Sequence, residues 1–544
     1  MISIATIALI ALTNIPSHLQ NYDLVIRNAT IIDGTGNPGY HADIAITDNK
    51  IADIGIIPET GKTEIDAAGK VVTPGFIDVH THAENVIEIP NAENFLRMGV
   101  TSIVIGNCGG SELDLGAFFR KLETNPVSVN VASLFGHNTV RRSVMGGNFD
   151  RVPTSEELAK MEALTQRAMD DGAVGFSTGL IYLPGTYSKT EEIIELTKIA
   201  AKNHGLYATH MRSEGTEIFE AIDEMLRIGQ ESGARVEYSH IKLSGQNMWN
   251  KTSEVFAKLN AARANGLEVT EDQYAYTASS TSISTLIPDS ALEGGTEAFK
   301  KRIADPKTKV EIIKFMKGRL ALRLQENYDY AVIASCRADK RLNGKSITEA
   351  AQIRLGKSTL DDQIETIFWI QSNGGASGVF HGMSEDDIQS FMQNPSTMIA
   401  SDSSCREFNV DVPHPRGYGN NARILGRYVR EFKTIRLEEA IRKMTSLPAQ
   451  TFRFTDRGIL KPGFAADIVI FDPQTVSDPA TYVAPHAYAT GFAAVIVNGK
   501  VVVRNDVHTG MRSGMPLRRD GYKPRAISEE FVDVNQQDIG ACCN

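Results

Sequence analysis

Two histidines one residue apart, at the end of an apolar run, form the first chemistry-bearing pattern in the chain: Asp78-Val79-His80-Thr81-His82. Alternate residues of a strand face the same way, so both imidazoles would point to one side and could share a metal ion. A pair of surface histidines is the plainer alternative, so the pattern gains force only from further ligands. Residues 100–105 run into Gly106-Asn107-Cys108-Gly109-Gly110-Ser111. Its spacing fits neither glycine-rich phosphate fingerprint, which leaves Cys108 as a thiolate donor or as inert core. His210 ends the run Leu206-Tyr207-Ala208-Thr209, and His240 ends Val236-Glu237-Tyr238-Ser239. Each has a cation two residues on, Arg212 and Lys242, on the same face. Asp402 closes Met398-Ile399-Ala400-Ser401, and a carboxylate there can touch a metal and accept a proton from its bound water. Any one of these could be a satisfied core residue. Four histidines, a cysteine and an aspartate at strand ends point instead to a metal centre.

The elements that must position these residues are legible as alternating runs. Residues 22–33 alternate apolar and polar, and 42–57 hold two further short runs, punctuated by Gly34-Thr35-Gly36 and Asp48-Asn49. From 71 to 456 the texture changes to apolar strand-like runs, at 71–79, 102–106, 127–135, 175–177, 207–211, 235–241, 268–272, 331–334 and 397–401. Amphipathic segments such as 155–171, 190–203 and 254–265 separate some of them. Ser155 followed by Glu157 carries helix-start chemistry, and Ser188-x-x-Glu191 matches a capping box. Repeated strand–helix units predict a TIM-like (β/α)8 barrel, whose active sites sit at the C-terminal ends of the strands. An insertion is expected near 288–345. Strand texture returns over 457–518, which is expected to join 22–70 in one small β-sandwich domain built from both chain ends. Residues 519–544 read as a polar tail. Residues 1–21 read as an export signal or a disordered terminus, placing the protein in the periplasm or outside the cell in the first case and in the cytoplasm in the second.

Composition narrows the partners. The 544 residues are 42% hydrophobic and 22% charged, with 56 basic against 66 acidic residues and a formal net charge of −10. That balance argues against a nucleic-acid binder, and no apolar run approaches the roughly 20 residues of a membrane span. The cysteines (Cys108, Cys336, Cys405, Cys542, Cys543) are too few and too irregular for a disulfide framework. The overall charge says nothing about a small-molecule substrate, and the oligomeric state is open.

Several motifs together resemble one family: GFIDVHTH (75–82), GNCG (106–109), GFSTGLIYLPGTYS (175–188), ATHMRSEG (208–215), SHIKLSG (239–245), HPR (414–416) and DRGILKPGFAADIVIFDP (456–473). The chain resembles the N-acyl-D-amino-acid deacylases (D-aminoacylases) of the amidohydrolase superfamily, from about residue 22 to 504. HxH alone would indicate only the superfamily; GNCG and STGLIYLPG point to the deacylase branch. The resemblance implies a metal-dependent hydrolase of linear amides. It implies one zinc ion tightly bound by Cys108, His210 and His240, and a second, weaker metal position at His80, His82 and Asp402. It also implies that Asp402 is the catalytic acid/base. Lys242, a tyrosine of Tyr274-x-Tyr276, and Arg416 match the groups that hold the substrate's α-carboxylate.

The pattern is not followed everywhere. Ala83 stands where the family often has an acidic residue, Gly110 where phenylalanine is common, and Ser290 where tryptophan is frequent; the stretch from Asp402 to Arg416 is longer than usual. These positions bear on pocket walls rather than ligands. His137, His381 and His414 have no assigned role. Rival readings are a cyclic-amide hydrolase of the dihydroorotase or hydantoinase type, a dipeptidase for peptides ending in a D-residue, and a non-catalytic scaffold. Cys108 speaks against the first, which typically bridges two metals with a modified lysine, and retention of every ligand speaks against the last.

Overall fold

The computed structural model describes residues 22–147 and 149–524. The N-terminal segment read as an export signal, and most of the polar tail, lie outside these residues. At the centre is a parallel eight-stranded barrel, made of Phe76–Asp78, Val100–Ile105, Asn130–Gly136, Gly175–Gly179, Leu206–His210, Arg235–Tyr238, Val269–Gln273 and Thr397–Ile399. Neighbours pair in parallel around the sheet. All six residues of Val100–Ile105 are buried, which explains its unbroken apolar sequence: a parallel strand is covered on both faces.

First and last strands meet at a seam just beyond their own ends. Asp402 N–H donates to the His80 carbonyl at 2.9 Å, and His82 N–H to the Ser403 carbonyl at 2.8 Å. The Asp78 carboxylate reinforces them by accepting Ser401 N–H at 3.0 and 3.2 Å and His80 N–H at 3.3 Å. Burial pushes this carboxyl up to about 7 despite those donors. The seam brings residues more than 300 positions apart into register.

Helices pack outside the strands. Ser155–Asp170 starts from a capping box whose cap is Thr154, with Glu157 as its partner, one residue before the serine read from sequence. Thr190–Lys202 has no side-chain cap. The Ser188 hydroxyl instead donates to the Gly185 carbonyl at 2.6 Å, so the expected capping box there does not form. The local turn competes for the serine and wins.

Two further sheets complete the molecule. Tyr22–Ile31, Tyr40–Thr47, Lys50–Gly55, Gly61–Asp66 and Val71–Pro74 join Ile468–Phe471, Phe492–Val497, Lys500–Arg504 and Val507–His508 in one nine-stranded sheet. Its two halves share one core, with Ile26, Ile44 and Val72 against Ile468, Ile470 and Ile496. The run at 331–334 is a strand, Ala331–Ser335, but not of the barrel: it pairs antiparallel in a three-stranded sheet with Ser377–His381, which pairs in turn with Ala278–Ser282. This excursion has its own core from Ile283 to Phe380, built with helices such as Pro306–Leu322 and Leu360–Ser372. It is therefore wider than the charged stretch at 288–345. Among the described residues, no helix is long and apolar enough to cross a membrane.

Replacing Asp78 by alanine strands two buried backbone donors at the seam and is expected to cost roughly 2–5 kcal/mol, read as a fall in Tm. Asp78→Asn keeps an acceptor and should fall clearly less; equal losses would show that the hydrogen bonds are not what the seam needs.

Candidate metal centre and active site

Each candidate ligand sits at or just past a barrel strand's C-terminal end, and three of them leave the strand in the left-handed region: Cys108 at φ 51°, His240 at 39° and Asp402 at 51°. That conformation costs a non-glycine residue on the order of 1–2 kcal/mol. The surroundings of Cys108 enforce it. A Cβ on Gly106 would meet the Leu134 carbonyl oxygen at 2.2 Å, and one on Gly109 would meet Asn138 Oδ1 at 2.7 Å. The Asn107 amide donates to the Val104 carbonyl at 2.9 Å and pins the turn. GNCG is thus two close approaches and an anchor around one thiol.

Cys108 Sγ lies 3.4 Å from His80 Nε2, 3.6 Å from His240 Nε2 and 3.8 Å from His210 Nδ1. Burial would raise the thiol, but the imidazoles outweigh it and hold it well below the usual range, as a thiolate. On the other side, Asp402 Oδ1 is 3.3 Å from His82 Nε2 and 3.8 Å from His80 Nε2, while Oδ2 pairs with Arg416 Nη1 at 2.9 Å. Burial opposes ionisation of Asp402, and the Arg416 guanidinium overcomes it, leaving the carboxyl well below its ordinary value.

The donor atoms of Cys108, His210 and His240 lie within 4.8 Å of one another, as do those of His80, His240 and Asp402, and of His80, His82 and Cys108. A thiolate with imidazoles suits a zinc-type ion, and a carboxylate with imidazoles suits a second, harder site. Asp402 Oδ1 is buried without a well-formed hydrogen bond, as a ligand atom reserved for an ion would be. The residues present fit a metal.

Behind the ligands stand acids that sequence reading did not single out. Glu214 Oε1 is 2.9 Å from His240 Nδ1 and 2.5 Å from Lys242 Nζ, with Oε2 3.7 Å from His210 Nε2. Burial is outweighed by these cations, and Glu214 stays ionised well below its usual range. Asp272 Oδ2 holds His80 Nδ1 at 3.1 Å. Burial and the Asp272 charge push the adjacent Glu237 well up, so it carries the proton of the pair. Glu84 accepts Gly106 N–H at 2.8 Å. Glu214 does stand four residues after His210, a spacing that could have drawn notice.

The expected carboxylate-binding groups divide. Tyr274 lies between Lys242 Nζ, 5.6 Å from its ring centre, and the Arg416 guanidinium, at 4.6 Å. Tyr276 packs elsewhere, edge-on to His414 and Tyr482 and under Arg423 at 4.7 Å, with its hydroxyl 3.5 Å from Asp478 Oδ2. His414 positions Arg416: its Nε2–H donates to the Ala278 carbonyl at 2.9 Å, and its Nδ1 accepts Arg416 N–H at 3.0 Å. His137 belongs to a buried network with Glu192 and Arg141. His381 lies against the Tyr482 ring. Of the departures, Gly110 faces open space, with only the Asn107 carbonyl at 3.8 Å from where a Cβ would sit. A cavity of about 540 Å³ leads from His210 and Glu214 to the Pro306–Leu322 helix.

Residues 63–503 match the sequence profile of the Amidohydrolase family. The chain belongs to the amidohydrolase family. Among amidohydrolases and their relatives it is 35% identical to a D-aminoacylase of Alcaligenes xylosoxydans xylosoxydans, over 92% of this chain and 99% of that one. It is 33% identical to an N-acyl-D-glutamate deacylase of the same organism, over 92% and 97%. The crystal structure of N-acyl-D-glutamate deacylase from Bordetella bronchiseptica, complexed with zinc and a phosphonate mimic of the tetrahedral intermediate, superposes with a TM-score of 0.78 at 32% identity, covering 92% of this amidohydrolase and 100% of that chain.

Because Glu214 fixes His240 from behind, Glu214→Gln is expected to weaken metal binding about 10–100-fold, measured by competition with a chromophoric chelator. Unchanged affinity would remove Glu214 from the supporting shell.

Proposed function

We propose that this chain is a zinc-dependent hydrolase that cleaves the linear amide of N-acyl-D-amino acids, releasing a carboxylate and a free D-amino acid. The observation that carries the reading is that the Cys108–His210–His240 cluster and the Asp402–Arg416 pair open on one barrel mouth beside Lys242 and Tyr274. The preference for D-residues rests on the relatives, a D-aminoacylase and N-acyl-D-glutamate deacylases. Cys108 at the centre of the cluster favours a linear-amide enzyme over the cyclic-amide type.

Cys108, His210 and His240 would hold a zinc ion, which when bound would supply Lewis acidity toward the acyl carbonyl and toward water, and His80, His82 and Asp402 would offer a second, weaker position. The protein's own groups do the rest. Lys242, Tyr274 and Arg416 grip the α-carboxylate, with the arginine's planar fork matching it in two hydrogen bonds. That grip fixes the amide over the metal cluster with its two faces distinguished. Asp402, ionised, takes a proton from the attacking water and returns it to the departing nitrogen.

A screen of N-acetyl amino acids and dipeptides with D- and L-residues, with a hydantoin as control, tests the reading; cleavage of L-substrates alone would sink it. Asp402→Asn is expected to lower kcat about 10²–10⁴-fold while bound zinc is retained, checked by metal analysis on the assayed sample. Arg416→Met removes the cation that keeps Asp402 ionised, so the acidic limb of kcat/KM should move to higher pH; a limb that stays in place or moves down would contradict the assignment.

A further inference from the structure

The cavity of about 540 Å³ has the metal ligand His210 in its wall, but none of Lys242, Tyr274 and Arg416, the groups that would hold the α-carboxylate. Of the two halves of an N-acyl amino acid, the amine half carries that carboxylate. The acyl half begins at the carbonyl that would face the metal cluster, so it lies nearer the cavity.

Apolar side chains follow from that point outward. Leu180 N–H donates to the His210 carbonyl at 2.9 Å, so the apolar lining starts against a metal ligand. Leu286, Leu320 and Phe380 continue it into the excursion, whose core they share. Phe315 and Leu322 also line the cavity, yet they are 46% and 61% exposed. They stand seven residues apart, on one face of the Pro306–Leu322 helix. Ile312, Met316 and Leu320 are the buried positions that dock this helix, so Phe315 and Leu322 are surplus to its packing.

The polar lining is already engaged. Arg212 is held by both oxygens of Glu224 and by the Thr186 and Ser188 carbonyls. Glu214 is committed to Lys242 and His240, and Asp289 accepts the Thr186 hydroxyl at 2.8 Å. Arg319 donates to the Thr285 carbonyl and Arg323 to the Ser244 hydroxyl, each at 2.9 Å. Arg319 is exposed and Arg323 lies over the Tyr330 ring, so their stems add apolar surface while Arg319 keeps its charge toward water.

We infer that this cavity receives the acyl tail of the substrate, and that unbranched aliphatic acyl groups of medium to long chain are preferred to acetyl. The inference rests on the deacylase reading and deepens it by naming the acyl class. Pockets of roughly 300–1,000 Å³ bury most of the surface of a sizeable ligand, whereas an acetyl methyl would leave most of this one to water. Each methylene moved from water onto an apolar wall is worth up to about fourfold in binding. An alkyl chain brings no polar atom to leave unpaired, which suits walls whose polar groups already have partners. An aliphatic side chain on the D-residue is the other source of such a tail, and the test separates the two.

The test measures kcat/KM on the zinc-loaded full chain, below micelle-forming concentrations. One series runs through N-acetyl-, N-butyryl-, N-hexanoyl- and N-octanoyl-D-alanine; the other through the N-acetyl derivatives of D-alanine, D-norvaline and D-norleucine. A rise of at least about tenfold from acetyl to octanoyl is expected, carried mainly by KM, with a shallower gain per methylene along the side-chain series. Replacing both rim residues, Phe315→Gln with Leu322→Gln, puts a good helix former at two exposed positions and should cut the octanoyl-to-acetyl ratio by at least about fivefold. That ratio, taken within one protein sample, is unaffected by partial loss of folded enzyme. A smaller rise, a gain per methylene at least as steep along the side-chain series, or a ratio that the double variant leaves in place overturns the inference while N-acetyl-D-alanine still reports deacylation. Failure of the wild-type protein on every substrate of both series overturns the deacylase reading and this inference with it.

Discussion

Closing a parallel sheet into a barrel obliges its first and last strands to find each other, and here that contact is made by the residues that carry the chemistry. The His80 and Ser403 carbonyls accept the N–H groups of Asp402 and His82, and Asp78 takes the N–H of Ser401. His80, His82 and Asp402 cannot take up their relative positions until the seam has formed, and the seam cannot form without placing them. Fold closure and assembly of the metal cluster are one event. The left-handed conformation of Cys108 is held by the close backbone approaches at Gly106 and Gly109 on either side of it, and His240 and Asp402 share that conformation.

The second constraint is charge. A buried thiolate, several imidazoles and several carboxylates share a volume shielded from solvent, and each is stable only as part of a neutralised set. The set is arranged in shells. Asp272 and Glu214 hold His80 and His240 from behind, and Lys242 and Arg416 pair with Glu214 and Asp402. Glu237 is kept neutral so that the layer beneath His80 does not become too negative. The overall surplus of acidic residues says nothing about this region, where Lys242 and Arg416 stand against the buried acids.

Much of this was legible in the sequence, for a physical reason. Ligands at the ends of parallel strands follow apolar runs that are buried on both faces, so His80, His82, Cys108, His210, His240 and Asp402 each announce themselves where such a run stops. Tyr274 and Tyr276 could not be separated, because the strand ends at Gln273, before both of them, and alternation no longer tells which way each side chain points. Asp272 was overlooked because its role is defined only by which imidazole comes to rest against it, whereas Glu214 had only its place four residues after His210 to mark it. The strand Ala331–Ser335 was recognised, within the stretch expected to be an insertion, but its partners were not, since a short apolar strand carries no mark of the direction of its partner. The serine at 188 offered a capping pattern that a local turn pre-empted.

The seam also sets a timetable for synthesis. Asp78 and Ser401 are 323 residues apart, which at about 5–20 residues per second is roughly 15–65 seconds on the ribosome. Through that interval the thiol of Cys108 and the paired histidines exist on a growing chain whose barrel cannot yet close over them. A nascent chain in this state presents soft donors to the surroundings before geometry restricts what they bind.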